Sequence, residues 1–270
     1  MNHPIYMPRG YIFTNTIFKM SPEVFFSSLA FIIFSIWIIK GLKKEKIKFN
    51  TKDISIFLFV AIFGSLTGGR IWYYLENWQG WITLAKIFDL RYPGLTSFGM
   101  IIGGIVSILV YIYFFNKKNK IEKNWTIAFA KIMDIVAPAS ALFIFIYRMG
   151  CFFYGDVPGT MTNLPWGVFA VNYGNNSGNI IHPTALYLSF SGLLIFILIQ
   201  IIIKKKHYEG YIGLIFIILY SINRFIIEFF IQSNNYLLEM STTQLILLMF
   251  IILSGLLLIK NHLLLLKLKN

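Results

Sequence analysis

The chain contains one cysteine, Cys151, in 270 residues, and only 13% of its residues are charged. One cysteine excludes a disulfide scaffold. So little charge, against about 25% in soluble domains, excludes a soluble globular protein, and the apolar excess excludes a disordered chain. Also missing are any internal repeat, soluble domain or linker. The first apolar stretch has no small-residue cleavage pattern behind it, so it is expected to stay as an anchor rather than leave as a signal peptide. Acidic residues are scarce too: 11 against 24 basic, a net charge of +13.

What is abundant is apolar sequence, 57% of the chain. At roughly 20 apolar residues per span, that supplies about seven transmembrane helices and little else. Long stretches poor in charge fall at Val24–Ile39, Ile54–Leu75, Gly94–Phe115, Trp125–Phe153, Thr184–Ile203, Gly210–Ile231 and Thr243–Ile259. Of the 24 Lys and Arg, sixteen lie in alternate connections: Lys40 to Lys52, Lys117 to Lys123, Lys204 to Lys206, and Lys260 to Lys269. The other connections hold four, namely Arg9, Lys19, Lys86 and Arg91. The positive-inside rule then predicts an all-α polytopic membrane protein of seven transmembrane helices, N-terminus outside and C-terminus cytoplasmic. The basic surplus becomes a topology signal, and no nucleic-acid partner is expected.

Ionisable residues inside spans are costly and are functional candidates by default. Six occur here: Arg70, Lys131, Asp134, Arg148, Arg224 and Glu228. The predicted topology puts Arg70, Arg148, Arg224 and Glu228 toward the outer leaflet, and only Lys131 and Asp134 on the cytoplasmic side. The same outer level holds His182-Pro183-Thr184, Ser241-Thr242-Thr243-Gln244, and a loop from Tyr154 to Ile181 with no Lys or Arg and one acid, Asp156. Guanidinium groups pair with phosphate through a planar fork, so the pattern points to a lipid head-group pocket. The structural alternatives are that Arg224 and Glu228, four apart, neutralise each other on one helix face, and that Lys131 and Arg70 snorkel to the interface.

The glycine pairs Gly68-Gly69 and Gly103-Gly104 read as close helix packing. In the run Arg148-Met-Gly-Cys-Phe-Phe-Tyr-Gly-Asp-Val-Pro-Gly159, a helix ends behind an arginine. A glycine–acid–x–x–glycine turn follows, expected to leave backbone N–H groups for an anion. His182 reads equally as a general base, a donor to a lipid phosphate, or a plain helix-entry residue.

Taken in order, these pieces resemble the prolipoprotein diacylglyceryl transferase family. The resemblance rests on Gly69-Arg70 and Gly94-Leu-Thr-Ser-Phe-Gly-Met-Ile-Ile-Gly-Gly104, then on Arg148-x-Gly150-x-Phe152 with Gly155-Asp156-x-x-Gly159 and Pro165-Trp166-Gly167-Val168. It continues through His182-Pro183-Thr184-x-Leu186-Tyr187, Arg224-Phe225-x-x-Glu228 and the Ser-Thr-Thr-Gln before the last span. It implies one integral membrane transferase domain over residues 1–270, in the cytoplasmic (inner) membrane of a bacterium, working at the outer face. It implies transfer of a diacylglyceryl group from phosphatidylglycerol to the thiol of a prolipoprotein, with glycerol phosphate released and no cofactor or metal. Arg148 and Arg224 correspond to the family's important arginines, Glu228 to the neighbour of the second, and Gly159 to its motif glycine. Catalytic roles are expected for Arg148, Arg224, Asp156 and His182. Substrate contacts are expected from Arg70, Gly99, Gly150, Cys151, Gly159, Tyr187 and Glu228. Gly99 stands where the family has a histidine, Cys151 where it has asparagine, and Asp156 where it has glutamate. Competing readings are a related transferase with the same lipid donor and another acceptor, and a transporter or lipid-binding protein. Charges gathered at one leaflet argue against a transporter, which needs a site near the midplane.

Overall fold

In hydrocarbon no water is available to satisfy backbone N–H and C=O groups, so long apolar segments must form helices. The computed structural model describes residues 5–6, 20–44, 49–76, 96–119, 124–155, 157, 159–170, 178–231, 236–237 and 240–269. Its helices are α1 (Pro22–Lys44), α2 (Thr51–Glu76), α3 (Ser97–Asn119), α4 (Trp125–Tyr154), α5 (Thr184–Ile202), α6 (Tyr211–Glu228) and α7 (Thr242–Lys269). Among the described residues, seven helices are long and apolar enough to cross a membrane.

The predicted spans fall on these seven helices, with instructive differences at their ends. The third was expected from Gly94, which lies outside the described residues. Helix α3 begins at Ser97, behind Thr96, whose Oγ1 accepts from the Gly99 N–H at 3.4 Å. The sixth was expected to reach Ile231. Instead α6 stops at Glu228, because the chain turns at Phe229–Phe230 and Ile231 pairs with Gly159. The seventh continues well past Ile259 to Lys269, since the leucine-rich tail holds good helix formers and no breaker.

The expectation of an all-α chain needs correcting in the connections, which among the described residues carry five two-residue strands: β1 (Ile5–Tyr6), β2 (Val168–Phe169), β3 (Ile180–Ile181), β4 (Tyr236–Leu237) and β5 (Met240–Ser241). Strand β2 pairs with β1 in parallel and with β3 antiparallel, while β4 and β5 form a hairpin ladder. Elements this short carry no period from which a strand can be predicted.

The chain divides into two compact units, residues 39–132 and residues 1–38 with 133–270. In the first, α2 and α3 cross at small residues. A Cβ added at Gly68 or Gly103 would strike the backbone of the other, and one added at Gly64 would strike Ser107. Spaced four apart on each helix, these residues let two backbones touch without a hydrophobic driving force, which lipid cannot provide. Thr96 ties the crossing by donating both its N–H (3.2 Å) and its hydroxyl (3.3 Å) to the Gly69 carbonyl.

In the second unit polar clasps join apolar helices. Ser189 on α5 donates to the Phe145 carbonyl of α4 at 2.7 Å, and Asn223 on α6 donates to Ser191 on α5 at 2.7 Å. Asp134 of α4 accepts from the N–H groups of Gly210 (2.7 Å) and Gly213 (2.8 Å), supplying from another helix the acceptors that the first turn of α6 lacks. Apolar contacts fill the rest: Phe26 stacks on Phe153 and Trp37 meets Phe196 edge to face. Ala137, Ala141, Ile195, Ile199 and Ile212 form a buried cluster.

Candidate functional site

The last turn of α6 carries Arg224 and Glu228. Their spacing of four stacks them on one face, where Nη1 of Arg224 sits 2.6 Å from Oε2 of Glu228. The contact is an ion pair rather than an aligned hydrogen bond. Glu228 is buried, and its other oxygen accepts from the Ser241 hydroxyl at 3.1 Å. Ser241 in turn accepts from the Gln244 N–H at 3.1 Å, while Gln244 Oε1 accepts from the Ser241 N–H at 2.9 Å, a reciprocal cap that starts α7. Both Glu228 oxygens are therefore engaged in holding Arg224 and the entrance to α7.

Arg148, near the end of α4, lies within electrostatic range of Arg224, so two helices bring two guanidinium groups to one region. Its side chain passes the Tyr147 ring, with Cζ 5.4 Å from the centroid, and Nη1 is 3.9 Å from the Cys151 sulfur. Cys151 is fully buried, in a cluster with Phe152, Val168, Ala170, Ile181 and Ala185. Gly150 lets α4 approach the start of α1, where a Cβ would press on Phe26 and on the backbone at Pro22 and Glu23.

Beyond α4 the chain turns through two residues of positive φ, Gly155 (80°) and Val157 (61°). The Gly155 N–H is not left for an anion, as the turn motif suggested. It donates to the carbonyls of Cys151 (2.9 Å) and Phe152 (3.2 Å), closing the helix in the usual C-terminal manner. Asp156 lies outside the described residues. Val157, held in a region that β-branched residues avoid, has its carbonyl bound by the Thr184 hydroxyl at 2.8 Å.

From Gly159 the chain runs between two others. Thr160 N donates to Phe230 O (2.9 Å), and His182 N donates to Thr160 O (3.0 Å). Gly159 abuts the His182 backbone so closely that any Cβ there would overlap the His182 carbonyl. This ladder places the entrance to α5 beside the exit of α6. His182 is buried, which lowers its pKa, and its ring lies 4.8 Å from that of Phe230. Nδ1 is 3.2 Å from the Tyr187 hydroxyl, which also accepts from the Trp166 indole N–H at 2.8 Å.

Arg148, Gly150, Cys151, Gly159, His182, Tyr187, Arg224 and Glu228 thus all belong to the second unit, whereas Arg70 and Gly99 belong to the first. Arg70 is buried rather than snorkelling. Gly99 sits in the α2–α3 crossing, where a Cβ would strike Gly68 and Trp72, so its lack of a side chain is a packing requirement and a histidine has no room. Trp166, Phe230 and the Ser241–Gln244 cap complete the arrangement. Among these, Trp166 was visible only as part of a motif.

Fold and site together define a polytopic helical membrane protein that gathers guanidinium groups and a carboxylate at helix ends. The model of the family described as prolipoprotein diacylglyceryl transferase matches residues 24–260, and the chain belongs to that family. It is 36% identical over 191 residues, 70% of each chain, to the phosphatidylglycerol–prolipoprotein diacylglyceryl transferase of Clostridioides difficile (strain 630). It is 33% identical to the protein of that name from Finegoldia magna, over 77% of each chain. Against the Clostridium tetani protein, identity is 30% over 69% of this chain and 72% of the other.

Proposed function

We propose that this protein transfers the diacylglyceryl group of phosphatidylglycerol to the thiol of the lipobox cysteine in a prolipoprotein signal peptide, at the outer face of the cytoplasmic membrane. Family membership and the names of its relatives support donor and acceptor alike. The observation that carries the reading is Arg224 at the end of α6, braced by the buried Glu228, in the same unit that presents Arg148 at the end of α4. Guanidinium groups at helix ends suit an anion through their planar fork, and a lipid phosphate supplies one.

In the reaction, the thiolate sulfur forms a bond to the glyceryl carbon as that carbon's bond to the phosphate oxygen breaks. Glycerol phosphate leaves with the bonding pair, and the thiol proton passes to a base. Arg148 and Arg224 bind the phosphate and neutralise the charge that grows on the leaving oxygen. Glu228 holds Arg224 in place. The base is Asp156 or His182. Residues 1–270 act as one membrane domain with the N-terminus outside and the C-terminus in the cytoplasm.

The test is expression in cells depleted of their own transferase, with mass analysis of a model lipoprotein. A diacylglyceryl thioether on its cysteine is expected. Unmodified cysteine in cells holding well-inserted protein would refute the reading, and modification of some other acceptor would favour a related transferase.

A further inference from the structure

The rings of Trp166, Tyr187 and His182, at the entrance to α5, form a directional hydrogen-bond chain. An indole nitrogen can only donate, so the Tyr187 oxygen must accept from Trp166 at 2.8 Å. The tyrosine hydrogen then needs an acceptor, and among the described residues its partner is Nδ1 of His182, at 3.2 Å. The reverse arrangement, with Nδ1–H donating, would spend both hydrogen bonds on the tyrosine oxygen and leave its hydrogen with no acceptor among the described residues. A neutral imidazole has one N–H; with Nδ1 accepting, that hydrogen is on Nε2. Burial favours the neutral ring. The ring is also fixed in place, packed against Phe230 and Tyr187 while its backbone N–H is bound by Thr160 and its carbonyl by Thr184.

We propose that Trp166 and Tyr187 are positioning residues that hold His182 as the Nε2–H tautomer, so that His182 donates a hydrogen bond to a phosphate or ester oxygen of the lipid and does not remove the acceptor thiol's proton. The role of donor to the lipid rests on the transfer reaction proposed above; the tautomer does not.

The tautomer is read directly by NMR of the full-length protein in nanodiscs with 15N-labelled histidine, His182 being assigned by the signal lost in His182→Gln. A pyrrole-type Nε2 and a pyridine-type Nδ1 are expected near neutral pH, giving way to mixed tautomers in Tyr187→Phe. An Nδ1–H tautomer or an imidazolium in the wild-type protein would overturn the proposal, as would Tyr187→Phe with unchanged tautomer and full turnover. In the transfer assay, His182→Gln keeps an N–H donor but cannot act as a base, and is expected to stay within about tenfold of wild type, roughly the worth of one hydrogen bond. His182→Ala is expected to fall well below that. Trp166→Phe and Tyr187→Phe are expected to lower kcat about three- to tenfold, with KM for the acceptor peptide little changed. If His182→Gln were as inactive as His182→Ala, the donor role would fail. Wild-type protein without any turnover would instead count against the transferase reading, leaving the NMR result to stand alone.

Discussion

At the scale of single residues, charge placement decides the most. Arg224 and Glu228 were readable as a pair because a spacing of four fixes their geometry on any helix. Their consequence is a stability debt: removing one partner of a buried pair leaves an uncompensated charge costing about 3–5 kcal/mol, whereas replacing both with apolar residues is often neutral. Glu228→Leu alone is therefore expected to lower the melting temperature in detergent. Adding Arg224→Met should restore it while turnover stays absent, which separates the arginine's chemistry from its folding role. Arg148→Ala is expected to abolish turnover in protein that remains folded; near-normal activity there would break the phosphate-clamp reading. The bonds from Ser241 to Glu228 and from Trp166 to Tyr187 were not readable, because loops bring those residues together and sequence spacing says nothing about it.

At the scale of elements, hydropathy and length are local properties, and they placed all seven helices. Small residues at Gly68 and Gly103 marked the α2–α3 crossing for the same reason. Gly103→Leu has no free volume to enter and is expected to cost at least about 1–3 kcal/mol, measured as a lowered denaturation midpoint. At the entrance to α6 the sequence offered only a cytoplasmic place for Asp134. Its carboxylate reaches Gly210 and Gly213, some 76 and 79 residues away in the chain. Asp134→Ala is expected to destabilise the protein by about 1–2 kcal/mol, the worth of a strong helix cap, and Asp134→Asn by less, because an amide oxygen still accepts. The ladder through Gly159, Thr160 and His182 had no sequence signal, yet it is what brings the ends of α4, α5 and α6 together.

For the whole molecule, the net charge of +13 predicts an orientation. Sixteen of 24 basic residues lie on alternate connections, so the topology can be tested with cysteines introduced singly into a Cys151→Ser background. A cysteine at Asn175 is expected to react with a membrane-impermeant thiol reagent in intact cells. One at Asn270 should react only after the membrane is opened. The opposite pattern would invert the topology and put the arginines on the wrong side for an outer-leaflet donor.

The burial of Cys151 bears on how such an enzyme survives its own activity. A catalyst that attaches lipid to sulfur is at risk from any thiol within reach of its bound donor. This chain has a single thiol, enclosed within an apolar cluster with no exposed surface, although the Arg148 guanidinium passes close by. That enclosure is expected to guard the protein against lipidation of its own cysteine, leaving the thiol carried in by the substrate as the acceptor.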